Sequence, residues 1–157
     1  MDNVTVNAGT HKKGDWTMQN VNAKNRHGHT PLMDAAKQGS IDEVKDLLNR
    51  GADLDAQSEK GKTALHYAAA NGHVAVAKLL MEKGADIDLR DREGHTPLML
   101  AAIYGCNHTV QALLNGGANP NIKTFTGNTA YQYAEINAHP LAAALIRKAE
   151  RAKQASA

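Results

Sequence analysis

The chain has 157 residues, 42% of them hydrophobic and 22% charged, which is typical of a single globular domain. With only six aromatic residues and 27 alanines, the sequence predicts a core of closely packed helices. A single cysteine, Cys106, excludes an internal disulfide framework and a cysteine-based zinc cage. No run approaches the roughly 20 apolar residues that a membrane span needs. The net charge of +2 is too small to indicate a nucleic-acid binder.

The first 19 residues show no periodicity and are predicted to be an N-terminal extension of a domain that covers residues 20–157. They lack a basic head and an apolar run, so the sequence as written predicts a cytoplasmic protein. A periplasmic or secreted protein, in which Met1 replaces a removed signal peptide, is the alternative. Trp16 and Met18 either fold over the first repeat or belong to a disordered tail.

A 33-residue repeat is the strongest signal in the sequence. Glycines recur at Gly28, Gly61, Gly94 and Gly127, and each is followed two residues later by a threonine. Paired alanines, a second glycine, a leucine pair and a Gly-Ala-Asp or Gly-Ala-Asn close then recur in register. The units run over about 25–57, 58–90 and 91–123, and a degenerate fourth unit over 124–156 acts as the cap. Such a period predicts units that stack on their neighbours.

Each unit is predicted to form two helices. The threonine can cap the first helix, and proline follows it at the first helical position in two units. The second glycine, for example Gly39, can adopt the left-handed conformation that ends this helix. In the fourth unit Ala138 replaces that glycine, and a final helix is predicted to start at Pro140 with a polar outer side.

The pattern of Gly-x-Thr-Pro-Leu opening, helix pair and Gly-Ala-Asp close resembles the ankyrin repeat. The resemblance implies an all-α ankyrin-repeat solenoid of helix-turn-helix units joined by extended finger turns. It also implies internal hydrogen-bonding roles for His66, His73 and His139. The motifs are specific for the fold and say little about the function.

The sequence predicts neither catalysis nor a cofactor or metal. His27 and His29 supply only two ligands, fewer than a zinc site uses, and His95 should be too far from them to contribute. Cys106 is predicted at a helix start, where the helix can lower a thiol pKa, with His108 as the nearest candidate base. A nucleophile also needs an oxyanion site, and the structural interpretation is favoured.

The resemblance implies a concave face made of finger tips and the exposed sides of the first helices. Residues that depart from the repeat pattern there are the predicted partner-binding residues: Arg26, His27, His29, Lys60, Lys62, Arg90, Arg92, His95, Ile103, Tyr104, Lys123, Phe125 and Asn128. The fingers carry more bases than acids, whereas acids such as Asp42 and Asp46 lie on a second helix, so charge is predicted to be partly segregated. An ordinary solvated surface is the alternative. Ile103, Tyr104 and Phe125 either contact a partner or pack against the last repeat or the tail.

The predicted function is protein binding without enzymatic activity. We expect a chain that is monomeric when free and that binds a protein epitope of acidic or mixed charge, with no nucleic acid and no membrane insertion. Small stand-alone bacterial ankyrin proteins are similar in layout, which suggests an inhibitor or immunity protein that covers a partner enzyme, such as a cell-wall hydrolase. A scaffold or adaptor, or a secreted effector that acts in a host, is the alternative.

Overall fold

The computed structural model describes residues 20–156, so the predictions for residues 1–19, including Trp16 and Met18, lie outside the described residues. The described part forms eight helices and no strands. The helices are α1 (Pro31–Gln38), α2 (Ile41–Asn49), α3 (Ala64–Ala70), α4 (Val74–Glu82), α5 (Pro97–Ile103), α6 (Asn107–Asn115), α7 (Ala130–Ile136) and α8 (Pro140–Ala155). None of them is long and apolar enough to cross a membrane. The prediction of an all-α solenoid is confirmed.

The helices form two parallel rows. The inner row is α1, α3, α5 and α7, in which each helix packs on the next, and the outer row is α2, α4, α6 and α8. Small residues of the inner row, such as Ala36, Ala69 and Ala102, are fully buried between these helices. Leu47, Leu80 and the other leucines at that repeat position fill the space between the rows. Because one unit has no core of its own, stability depends on stacking.

Threonine side chains start every inner helix, as predicted. Thr30, Thr63, Thr96 and Thr129 each accept a hydrogen bond from the backbone N–H three residues later. Proline follows the threonine in α1 and α5, where the missing N–H has no helical partner to lose. These local contacts fix the start of each helix independently of its neighbours.

The turns between paired helices use a left-handed residue and the side chain of the next unit. Gly39 and Gly105 have φ of 74° and 66°, and Ala138 takes the same conformation with φ of 58° in the fourth unit. The ring of His73 lies against Gly39, and its Nε2 donates to the Lys37 carbonyl oxygen at 3.0 Å. His139 makes the same contact with Gly105 and Ile103. The predicted structural roles of His73 and His139 are confirmed.

Cys106 occupies the corresponding position in the third unit. Its Sγ lies 3.8 Å from the Ala70 carbonyl oxygen, a weak contact where the second and fourth units have the imidazole donors His73 and His139. We therefore expect Cys106→His to add a hydrogen bond over Gly72. Its unfolding free energy should be about 1 kcal/mol higher than that of Cys106→Ala, which cannot form this bond. In calorimetry this is a rise in Tm of roughly 2–4 °C relative to Cys106→Ala. A Tm for Cys106→His at or below that of Cys106→Ala would show that the position does not accept the ring.

A chain of side-chain to backbone hydrogen bonds joins the units where each outer helix ends. Asp55 Oδ1 accepts from Asp86 N at 2.9 Å, and Asp88 Oδ1 accepts from Asn119 N at 3.0 Å. Within each unit Asp53 and Asp86 accept from the amide two residues later. These aspartates are therefore structural, because their carboxylate oxygens hold neighbouring units in register.

Candidate functional site

Four fingers precede the four inner helices, at residues 25–29, 58–62, 91–95 and 124–128. Each is a tight hairpin in which a backbone bond closes the turn, for example Asp91 N to the His95 carbonyl at 2.9 Å. Short acceptor side chains stand at the first position of all four fingers: Asn25, Ser58, Asp91 and Thr124. They accept hydrogen bonds from amides inside their own fingers. The second and third side chains of each finger are exposed.

Neighbouring fingers are tied together in two ways. One backbone bond crosses each junction, such as Arg92 N to the Lys60 carbonyl at 3.0 Å. In addition, the side chains at one repeat position each donate to the carbonyl of the next: Lys24 to Gln57, Gln57 to Arg90, and Arg90 to Lys123. The fingers therefore form one connected platform, and their tips are held at fixed spacing.

The structure separates the predicted binding residues in and beside the fingers into exposed and partly buried side chains. The exposed side chains are Arg26, His27, Lys60, Arg90, Arg92, Lys123 and Phe125. His29 and His95 have side chains only 18% and 12% exposed. Lys62 and Asn128 are intermediate. The tips present more surface to a partner than the histidines at the bases do.

The partly buried histidines, His29 and His95, have intramolecular partners. His29 Nδ1 lies 3.1 Å from Asp34 Oδ1, and its Nε2 lies 2.8 Å from the hydroxyl of Tyr67. His95 packs on Tyr133 with ring centroids 5.4 Å apart, and its ring lies 3.4 Å from Asp91. His29 and His95 thus connect their fingers to the inner helix of the following unit, α3 and α7 respectively.

His66 is fully buried in α3 and is the most strongly shifted titratable group among the described residues. Its Nδ1 accepts from Thr63 N at 3.1 Å, and its Nε2 donates to the His95 carbonyl at 2.9 Å. Burial lowers the pKa of His66 from 6.5 to about 4, against smaller raising effects of the His95 carbonyl and Asp91. The predicted internal hydrogen-bonding role is confirmed.

One end of the inner row is cationic. An open pocket of about 330 Å³ lies at the junction of the first and second units, lined by His27, His29, Lys37, Glu59, Lys60, Lys62 and Tyr67. Lys37, near the end of α1, faces the same pocket as the finger lysines. Fingers and inner-helix ends therefore share one surface. We call it the finger face, and it comprises the four fingers (residues 25–29, 58–62, 91–95 and 124–128) and the C-terminal ends of α1, α3, α5 and α7.

The other end of the finger face has exposed apolar side chains beside its cations. At the repeat position of Lys37 the following units have Ala70, Ile103 and Ile136, the last of which is 70% exposed. Tyr104, next to half-buried Ile103, is 61% exposed. Phe125 is 69% exposed on the fourth finger.

The apolar residues do not form one cluster. Tyr104 follows the end of α5, whereas the backbone of Phe125 bonds to the finger before α5, so the two rings lie at opposite ends of this helix. The guanidinium of Arg90 stands 4.7 Å above the Phe125 ring. Neither ring is packed into the last repeat, which removes that alternative for the described residues.

The predicted segregation of charge holds only in the first unit. Asp42 and Asp46 are exposed on α2, but the outer side of α8 is basic, with Arg147, Lys148 and Arg151 exposed. Asp91 is one of the acids in the finger sequences, but it is 5% exposed and its side chain faces inward. The finger tips are consequently more basic than their sequence composition indicates.

The structure does not activate Cys106. Burial raises the pKa of its thiol, opposite to the lowering considered for a helix start. The desolvation arises because Sγ faces Gly72 and the Ala70 carbonyl between two units. Residues 20–156 hold no group of three or more His, Cys, Asp or Glu side chains placed to bind a metal.

Sequence reasoning missed Tyr67 and Leu141. Tyr67 forms part of the cationic pocket and bonds His29, 38 residues away. Leu141 is 56% exposed at the start of α8. The sequence does contain a signal for Tyr67. The equivalent residues of the other units are Asp34, Leu100 and Tyr133, so this repeat position varies as a binding position would.

Paired helices with stacked fingers define a helical repeat solenoid. A family model described as Ankyrin repeats (3 copies) matches residues 8–91, more than half of the chain. A second one, Ankyrin repeats (many copies), matches residues 82–134. The chain belongs to the ankyrin repeat family. A comparison with curated proteins gives no match. The repeats indicate a protein–protein interaction module, and the family is generally non-catalytic.

Proposed function

We propose that the protein binds a partner protein through the finger face and acts by covering the partner's functional surface. The supporting observation is that this face combines the lysines around the first junction with exposed Tyr104, Phe125 and Ile136. Aromatic side chains on a rigid platform are typical interface anchors, and flanking cations attract an acidic epitope.

Occlusion makes the protein an inhibitor or immunity protein of a partner enzyme, with a cell-wall hydrolase as one candidate. The finger platform supports this function because its hydrogen-bonded units present a preorganised surface that loses little entropy on binding. The partner enzyme is expected to lose activity in proportion to the complex formed.

A scaffold or adaptor is the second candidate. It requires a second partner surface, and one observation favours it. A groove of about 320 Å³ lies on the outer side, between the end of α6 and α8, lined in part by Leu114, Pro120, Ala149 and Ala152. A partner that keeps full activity when bound, together with a second protein in the complex, would favour the adaptor over the inhibitor.

The test is capture of partners by the purified full chain. We expect Tyr104→Ala/Phe125→Ala to weaken partner binding at least 30-fold, roughly 2 kcal/mol, because truncation of two aromatic anchors removes buried contact area. Tm should change by less than about 2 °C, since both side chains are more than 60% exposed.

Lys45→Ala/Lys78→Ala, on exposed positions of α2 and α4, is the matched control and should bind as the wild type does. Capture of the same proteins by the wild type and by Tyr104→Ala/Phe125→Ala would place binding outside these anchors and contradict the proposal. An activity assay of the captured protein, with and without this chain, distinguishes occlusion from bridging.

A further inference from the structure

We propose that the pocket at the first junction is an anion subsite that binds a carboxylate or phosphate group on an acidic segment of the partner protein. This inference rests on the proposed function and specifies the partner chemistry at one end of the finger face. The pocket joins the first finger, the second finger, the end of α1 and the side of α3. Its volume of about 330 Å³ is at the lower end for ligand pockets and accommodates one acidic side chain with its hydration.

The cations that line the pocket have no anionic partner in the described part of the chain. Lys37, Lys60 and Lys62 form no ion pair within residues 20–156. Glu59 lines the same pocket without pairing with them. Three ammonium groups around one small pocket repel each other, and a bound anion would relieve this repulsion.

The floor of the pocket is fixed by hydrogen bonds. The Tyr67 hydroxyl contacts both His29 Nε2 at 2.8 Å and Ser58 Oγ at 3.2 Å. Asp34 holds the other ring nitrogen of His29. Burial raises the pKa of Tyr67, so this hydroxyl stays neutral. The lysines therefore surround a rigid polar surface, which favours a defined binding site over a diffuse cationic cloud.

The repeat itself provides an internal comparison. At the position of Lys60 the next fingers have Glu93 and Thr126, and at the position of Lys37 the next inner helices have Ala70 and Ile103. The same architecture is thus built at the later junctions without the cluster of lysines. The repeat fold requires none of these cations, which separates their presence from structural need.

The test uses the isotope-labelled full chain and NMR titration at low salt. The probes are a hexaglutamate peptide, a serine peptide of equal length that carries one phosphoserine, and a hexaglutamine peptide. We expect saturable shifts of the Lys37, Lys60, Lys62 and His27 side-chain signals with at least one acidic probe and none with hexaglutamine. Tighter binding of the phosphoserine peptide would identify phosphate as the preferred anion, and tighter binding of hexaglutamate would identify carboxylate.

Lys60→Gln/Lys62→Gln is expected to weaken binding of the acidic probe about tenfold, near threefold for each partly exposed charge contact. Lys45→Gln/Lys78→Gln removes the same charge from the outer helices and should change it less than twofold. Equal weakening by both pairs would reduce the effect to net charge and overturn the subsite, as would an absence of saturable shifts in the pocket. If Lys60→Gln/Lys62→Gln retains full affinity for the captured partner while Tyr104→Ala/Phe125→Ala loses it, the subsite fails and the proposed function stands.

Discussion

Lowering the pH from 7.5 to 4.5 is expected to reduce the unfolding free energy by about 2–3 kcal/mol through His66 alone, because burial lowers its pKa from 6.5 in the unfolded chain to about 4 in the folded chain. In this range the unfolded chain binds a proton at His66 that the folded chain does not bind. The folded protein is therefore stabilised above pH 6.5 and loses this contribution as the pH falls. Burial is the main cause, because a protonated imidazole in the core would be poorly solvated.

The repeat supplies matched variants for this measurement. The position of His66 is occupied by Met33 in the first unit, Met99 in the third and Gln132 in the fourth, so the architecture accepts each of these side chains. His66→Met removes the titrating group, and His66→Gln retains an acceptor for Thr63 N, as Gln132 does for Thr129 N. Urea unfolding followed by circular dichroism at several pH values gives the difference from the wild type.

The wild type should lose about 2–3 kcal/mol more than His66→Met over this pH range. The carboxylates are the same in both proteins, so their contribution to the pH dependence cancels when the two unfolding free energies are subtracted. Parallel pH profiles for the wild type and both variants would show that His66 titrates normally in the folded chain and would contradict its buried, neutral state.

Gly105→Ala is expected to lower the unfolding free energy by about 2–3 kcal/mol. Alanine is strained at the left-handed φ of 66°, by roughly 1–2 kcal/mol. Its methyl group would also lie 2.5 Å from Nδ1 of the His139 ring. The ring must therefore move, which puts its hydrogen bond to the Ile103 carbonyl at risk and adds about 1 kcal/mol.

Gly117→Ala is the control for backbone strain. Its φ is 96°, and a methyl group there would meet nothing within 4 Å. The strain term should then act alone, with a loss of roughly 1–2 kcal/mol. Gly72→Ala should fall between the two, because the Cys106 sulfur lies 3.3 Å from the new atom. Equal losses at Gly105 and Gly117 would show that the histidine contact across the units contributes nothing.

The repeat fold could be predicted from the sequence because its helix ends depend on local chemistry. The threonine caps, the left-handed glycines and the start of α8 at Pro140 are contacts within a few residues, and all are confirmed. The same holds for His66, whose hydrogen bond to Thr63 lies within one turn. A period of 33 residues then extends each local result to every unit.

The composition of the candidate site was less accessible to sequence reasoning. The pairing of His29 with Tyr67 joins residues 38 apart, and the bond from Arg90 to the Lys123 carbonyl exists only when fingers stack. Cys106 shows the limit most clearly. The helix start suggested a lowered pKa, but desolvation between stacked units dominates and raises it.

One signal for the orientation of finger side chains was present in the sequence and was not used. Asn25, Ser58, Asp91 and Thr124 are all short acceptors at one repeat position, which is typical of a side chain that closes its own turn. This pattern predicts that the Asp91 side chain faces inward. The finger tips are then more basic than a count of charged residues in the fingers indicates.

The central claim is that a partner protein binds the finger face. Hydrogen–deuterium exchange on the full chain, alone and in complex with the captured partner, tests it most directly. We expect protection of the fingers at 58–62, 91–95 and 124–128 and of the ends of α1, α3 and α5, with α2 and α4 unchanged. Protection confined to the outer helices, with the fingers exchanging as they do in the free chain, would contradict the account.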